Sequence, residues 1–500
     1  MLLSTLALSN SAGSSASVDA TTNRTMRYNK FIDFRKTILV PENYTTIQEA
    51  INKAEEGDTI EVSSGIYYEN LALNKTVNLI GKDANTTILD GRKIGNVADV
   101  TVDNVVIDGF TIRNSEIGIN LLSVGNCLIR RNIIKSNQDG INIASCWKCI
   151  VTENNVSNNR NRGMYIGSSH NCSIEDNIVE KNEGYALNLY SSWNCSIVGN
   201  IVRGGITDWD AIGLYSCTDC VVIGNTANDS HLNGIWLESS KDCLVEKNYV
   251  NNNMYGIAVH RNSTRCIIRQ NDVRNSRGYN LFLYSSDMNT FYHNNFIATG
   301  SSQVESTDSV NKMDNGVEGN YWSNYVGIDN NCDGIGDTVY VVDADEHDDY
   351  PLMARFTNFS INRENETHDV NIISNSTVSN FEFNTDKNEV KFQVSGEKDT
   401  YGFCRISIPK ALMDGTLVIK VDSGVPIIQK KLEPLSAPLN YLYFTYTHST
   451  HQVTITLEVH QDFLSQILMP LLLVSAVAIV ALVLFVVRRK RFNLSIRRKK

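Results

Sequence analysis

The chain has 500 residues, more than one compact core holds, so several modules or a repeat array are expected. Its formal charge is −10, but the last 13 residues, Arg488 to Lys500, hold eight Lys/Arg and no acid; the remainder keeps 37 basic against 55 acidic residues, or −18. A field of that sign repels phosphate backbones and excludes a nucleic-acid partner.

Residues 1–36 open on a short apolar stretch, Met1 to Ser9, with no basic flank, which reads as an atypical or truncated export signal. Thr46-Ile-Gln-Glu49 is a capping box, and Ile47, Ala50, Ile51 and Ala54 share one apolar face, so a short amphipathic helix follows.

From residue 37 to 300 the chain repeats. Cys127, Cys149, Cys172, Cys195, Cys220, Cys243 and Cys266 are spaced by 22, 23, 23, 25, 23 and 23 residues. Five positions after each stands an asparagine, from Asn132 to Asn271, and Asn294 continues the series. Each repeat ends in a second alternating run such as Gly234-Ile-Trp-Leu237. Period-2 alternation means strands with one face inward, and no segment is long enough for a crossover helix. Short strands recurring every ~23 residues predict a single-stranded parallel β-helix, each turn stacked about 4.8 Å above the last. Like residues then form columns: the asparagines bond amide to amide, and the cysteines act as small buried apolar groups.

The same stacking predicts two outward columns on the last strand of each turn. One reads Asn120, Asn142, Tyr165, Asn188, Gly213, Trp236, Ala258, Phe282; the next reads Leu122, Ala144, Gly167, Tyr190, Tyr215, Glu238, His260, Tyr284. Tyr190, Tyr215, Trp236 and Tyr284 form a candidate saccharide track, because sugar rings offer C–H faces to π systems. The longest repeat inserts Asp208-Trp-Asp210 beside that track. Asp210 and Glu238, assisted by His260, are the candidate acid and base for glycosidic cleavage. Binding without cleavage and cleavage are therefore the two expected roles, and the first is preferred.

Residues 301–355 carry Asp329-Asn-Asn331-Cys-Asp333-Gly334-Ile335-Gly-Asp337. Oxygen ligands from Asp329, Asn331, Asp333, Ile335 (main chain) and Asp337, with glycine at position 6, match a calcium loop, so a structural Ca2+ is expected; Tyr340 stands where the usual bidentate acid would be. No organic cofactor is expected. Residues 356–460 lose the repeat and show alternating strands with turn signals between them, a small β-sandwich acting as a stalk. Ile467 to Val487 is free of charge and long enough to cross a bilayer as a helix. The basic tail 488–500 places the C-terminus in the cytoplasm and all preceding domains outside the cell. Sequons at Asn74, Asn228 and Asn375 would then be glycosylation acceptors.

Two motifs carry a resemblance. Asn43 to Val62 followed by Gly65-Ile-Tyr-Tyr-Glu69 looks like the capped opening of pectin-lyase-like right-handed β-helices. The repeats, with Gly319-Asn-Tyr-Trp-Ser-Asn-Tyr325 and Asp349-Tyr-Pro-Leu352, resemble the NosD-like branch, whose repeats are described as carbohydrate-binding and sugar-hydrolysing and which is common on archaeal cell surfaces. The resemblance covers residues 40 to 355. It implies a right-handed coil, a polysaccharide or envelope-glycan partner and a surface location. The NosD name also suggests copper, but nine histidines and nine methionines are scattered without a cluster, which disfavours it. Gly402 to Pro409 and Tyr443 to His451 look like a domain recurrent in archaeal surface proteins.

Overall fold

The computed structural model describes residues 36–205, 207, 209–298, 303–432, 438–458 and 473–489. Within them the chain winds about 12 right-handed turns through three parallel sheets. The first sheet has 13 strands, Thr37–Val40 to Val310–Lys312; the second has 12, Gly65–Tyr67 to Tyr321–Trp322; the third has 11, Leu71–Leu73 to Val304–Thr307. The last strands of the coil, Val304–Thr307, Val310–Lys312 and Tyr321–Trp322, lie after residue 300, in the stretch 301–355 read as its exit. The last rung is longer: Asn320 answers Asn294 across 26 residues, and that irregularity hid it.

The asparagine column is the spine of the coil. Each Oδ1 accepts both the main-chain N–H and the amide of the asparagine one turn earlier: Asn154 N–H and Nδ2 both donate to Asn177 Oδ1 at 3.0 Å, and Asn177 donates likewise to Asn200 at 2.9 and 3.0 Å. Each Nδ2 also reaches a strand carbonyl, Asn177 to Val151 O at 2.9 Å. All of these side chains are buried, so every amide must be satisfied within the ladder. The residue before each asparagine is left-handed, as in Asp176 (φ 53°) and Gln270 (φ 58°), and glycine takes the place at Gly199 and Gly224. This gives a sharp two-residue corner between the first and second sheets. The repeat cysteines fill the interior beside it, all free and buried, as the sequence predicts.

Both ends of the coil are closed. At the start, Ile47–Lys53 forms the expected helix, with Thr46 accepting from Glu49 N–H and with Ile47, Ala50 and Ile51 buried. Glu69 caps it from the other side, accepting from Ile47 and Gln48 N–H at 3.0 and 2.9 Å. Gln48 Oε1 takes the N–H of Ala72, on the first strand of the third sheet, which pairs with another strand on one side only, at 2.8 Å.

At the far end Trp322 is fully buried between Phe296 and Tyr340, with ring centroids 4.6 and 4.4 Å away. Its indole N–H donates to Asp348 Oδ2 at 2.9 Å, and the same oxygen accepts from Asn320 N–H at 2.8 Å. A Cβ on Gly319 would lie 1.8 Å from Asp348 Oδ1, so only glycine fits there. Burial pushes the Asp348 carboxyl up to about 7 against these hydrogen bonds.

Residues Arg355–Leu457 form two antiparallel sheets, five- and four-stranded, around a core that includes Phe392, Ile406, Phe444 and Ile455. This is the sandwich expected from the alternation. It is clamped to the coil by Glu318, which accepts from Arg405 Nε and bonds His293 Nε2, each at 2.8 Å. Arg405 is fully buried and also donates to Asp333 O at 2.8 Å. His293 and Arg405 hold the Glu318 carboxyl down at about 2 although burial alone would raise it.

Residues 1–35 and 490–500 lie outside the described residues, as do 467–472 of the apolar run Ile467 to Val487. Residues 473–489 are helical. No helix among the described residues is long and apolar enough to cross a membrane, so the membrane span read from the sequence is not reproduced there.

Two outcomes follow from the ladder and the end cap. Asn200→Ala should cost about 3–5 kcal/mol in chemical denaturation, because it removes the acceptor of the Asn177 N–H and of one Asn177 amide hydrogen, and one donor to Asn225 Oδ1. Asp348 binds its proton more tightly folded than unfolded, so stability falls as pH rises from about 3.8 to 7. A melting series over that range should show a shallower fall in Asp348→Asn than in the wild type.

Candidate functional site

The third sheet brings the predicted outward columns into the registers the spacing implied. Tyr190, Tyr215, Glu238, His260 and Tyr284 pair in that order across successive strands, and Asn188, Gly213, Trp236, Ala258 and Phe282 run beside them. Tyr190 is 49% exposed and Tyr284 38%.

The rings are not laid flat on the sheet, however. They stack on one another along the coil axis, because rungs about 4.8 Å apart fall within the centroid separation of offset-stacked aromatic rings. His260 is held between Trp236 and Tyr284, with centroids at 4.7 and 4.8 Å, and Tyr190 lies over Tyr215 at 6.4 Å. The band therefore offers ring edges along its length and open faces at its ends and steps.

Asp210 is only 3% exposed. Tyr215 O–H donates to its Oδ2 at 2.5 Å, while Asn233 Nδ2 and N–H donate to Oδ1 at 2.5 and 3.3 Å. Burial raises its pKa despite these bonds, and the charge of Glu238 adds to the rise. Burial, then the Asp210 carboxylate, also raises the Tyr215 phenol, so it stays protonated as a donor. Glu238 is committed as well: Oε1 takes Arg261 Nη1 at 2.9 Å and Oε2 takes the Trp236 indole N–H at 3.2 Å. Burial and Arg261 lower the pKa of His260, whose Nδ1 is buried without a partner. The structure thus brings Asp210, Glu238 and His260 into one neighbourhood but does not present a free acid and base in an open groove. Asp210 sits behind Tyr215, and Asp208 lies outside the described residues.

Four further aromatic groups extend the surface. The insertion places Trp209, 40% exposed, against Tyr185 with centroids 4.1 Å apart, and Tyr185 meets Tyr215 edge-on at 5.9 Å. At the corner between the third and first sheets, His170 stacks on Trp193 at 4.6 Å, and Trp193 is 48% exposed above the small Thr218. Sequence reasoning passed over His170 and Trp193; their signal was an aromatic residue two positions before a repeat cysteine, seen also at Trp147.

In the calcium-like loop the carboxylates are turned to the loop's own backbone. Asp329 accepts from Asp333 and Gly334 N–H at 3.0 and 2.8 Å, Asp333 from Ile335 N–H at 2.8 Å, and Asp337 from Asn330 N–H at 2.7 Å. Asn331 donates its amide to Asp337 at 3.3 Å and so is turned the wrong way for a ligand. Burial, with the nearby charges of Asp333 and Asp337, raises the Asp329 pKa. Among the described residues no group of three or more His, Cys, Asp or Glu is placed to hold a metal ion. The loop as folded is a turn capped by its own carboxylates.

Comparison with known proteins agrees with the architecture. The model of the right-handed β-helix region matches residues 139–297, and that of the periplasmic copper-binding protein NosD matches residues 51–215. The chain is a right-handed parallel β-helix protein. No curated protein matches it. Among solved structures, the mannuronan C-5 epimerase AlgE6 A-module of Azotobacter vinelandii is 13% identical, over 53% of this chain and 93% of that one, with a TM-score of 0.46. The DFA-IIIase of Arthrobacter chlorophenolicus A6 is 11% identical, over 58% and 96%, with a TM-score of 0.48. PfbA, a surface adhesin of Streptococcus pneumoniae, is 13% identical, over 64% and 92%, with a TM-score of 0.39. At these identities and scores the likenesses carry no functional argument.

Asp329→Ala should lower the melting temperature in calcium-free buffer, through the loss of two hydrogen bonds to main-chain N–H groups. A wild-type melting temperature that rises with added Ca2+, and an Asp329→Ala one that does not, would restore the ion to the loop.

Proposed function

We propose that this protein binds polysaccharide through the aromatic surface of the third sheet and does not cleave it. The reading is carried by one observation: Tyr190, Trp209 and Tyr284, each more than a third exposed, belong to two aromatic stacks, Trp209–Tyr185–Tyr215–Tyr190 and Trp236–His260–Tyr284, which Glu238 joins into one band. From Tyr190 to Tyr284 the band spans four rungs, about 19 Å, which suits an extended chain of sugars better than a single ring. The polar groups among the rings (Glu238, Arg261 and the Tyr215 hydroxyl) are already paired and stand preorganised to accept or donate to sugar hydroxyls. The closure of Asp210 behind Tyr215 weighs against glycosidic cleavage, which needs a carboxyl within reach of the scissile oxygen.

The apolar run Ile467 to Val487 and the basic residues after it support attachment to a membrane, with coil and sandwich on the outer side and the glycan being that of an envelope or a neighbouring surface. The sandwich then acts as the stalk that sets the coil away from the bilayer.

Affinity electrophoresis through gels containing individual polysaccharides tests the binding face. Each exposed ring contributes on the order of 1 kcal/mol, so the Tyr190→Ala/Trp209→Ala/Tyr284→Ala variant should bind about a hundredfold more weakly at an almost unchanged melting temperature. Retention equal to the wild type would overturn the assignment. On any polysaccharide that is retained, wild type and Glu238→Gln should release no reducing ends; release by the wild type alone would return catalysis to this site.

A further inference from the structure

The coil and the sandwich do not meet flush. Between them runs a groove of about 720 Å³, within the range of small-molecule sites. It is walled by Tyr249 and Asp272 of the second sheet, by Gln270 at the corner before them, and by Arg355 and Thr377 of the sandwich. It lies on a different sheet from the aromatic band.

Most polar groups around this groove are already engaged. Lys247 Nζ donates to Ser360 Oγ at 3.1 Å and pairs with Asp369 at 3.8 Å. Asp272 is paired with Arg274, and Asn295 exchanges hydrogen bonds with the Phe356 main chain at 2.8 and 2.9 Å. Ser376 Oγ bonds Tyr446 and His448. Gln270 Oε1 is different: it is buried and has no donor. Beside it the Tyr249 ring is 39% exposed, with the Arg274 guanidinium 5.3 Å from its centroid.

We propose that this groove is a second ligand site, which takes a short neutral saccharide. A sugar hydroxyl donates to Gln270 Oε1 and replaces the donor that the fold does not supply, while a C–H face of the ring rests on Tyr249. The charges of Lys247 and Asp272 are neutralised within the protein, so these groups offer little to an anion. The site is independent of the polysaccharide band, and each can fail without the other.

Isothermal titration of the folded chain with cellobiose, maltose, chitobiose and digalacturonate tests it. At least one of the three neutral disaccharides should bind saturably at one site and more tightly than digalacturonate. Gln270→Leu and Tyr249→Ala should each weaken that binding tenfold or more, whereas the triple variant of the aromatic band should leave it unchanged. Gln270→Leu removes the acceptor at nearly constant volume, so it reports on the site even where Tyr249→Ala disturbs the fold. No saturable heat from any neutral disaccharide, tighter binding of digalacturonate, or wild-type affinity in both single variants would overturn the proposal.

Discussion

The fold depends on one hydrogen-bonded file, the asparagine amides that pass from turn to turn inside the coil. A buried amide tolerates no missing partner, so each asparagine demands another one turn above and one below. That demand fixes the rise between turns and with it the alignment of every outward column. The parallel sheets add their own ladders, but strand pairing alone tolerates a slip of register, whereas a slip here would strand two polar groups in the core. The Asn–Asn distances, between 2.9 and 3.1 Å across the described ladder, leave no slack. The aromatic band is a consequence of this spacing, since rings on successive rungs are forced to the distance at which they stack.

The two ends show how an open-ended repeat is stopped. At the first turn Gln48 consumes a main-chain N–H of the edge strand that would otherwise pair with another chain, and Glu69 caps the helix that carries Gln48. At the last, Asn320 ends the amide file while Trp322 seals the interior and Asp348 satisfies both. The Glu318–His293–Arg405 cluster then couples this seal to the sandwich. A buried ion pair of this kind contributes geometry more than stability, and here it sets the angle at which the second module leaves the coil.

The repeat made the coil legible. A spacing of about 23 residues, with cysteine and asparagine five apart, was enough to place Tyr190, Tyr215, Glu238, His260 and Tyr284 on adjacent strands, because backbone stacking decides that alone. The direction of the rings was not legible, since it depends on which neighbours are small: Gly213 gives the Tyr215 ring room that a Cβ would fill at 2.6 Å. The burial of Asp210, the candidate acid or base, was not legible because an insertion's path is not periodic, and Tyr215 closes over it. The loop at Asp329 has the composition of a calcium site, yet composition does not say whether carboxylates face a cation or their own backbone. Contacts such as Glu318 with Arg405, 87 residues apart, leave no local trace at all.

The constant rise per turn also has an evolutionary reading. Duplication or deletion of one 23-residue unit anywhere between Cys127 and Asn294 inserts or removes a whole storey of the coil, with its amide, thiol and outward side chains already aligned to those on either side. Neither end cap would need to change. Variants with longer or shorter receptor faces are thus reachable by unequal recombination in a single step, and related chains that differ by multiples of this unit should retain the same surface chemistry at a different reach.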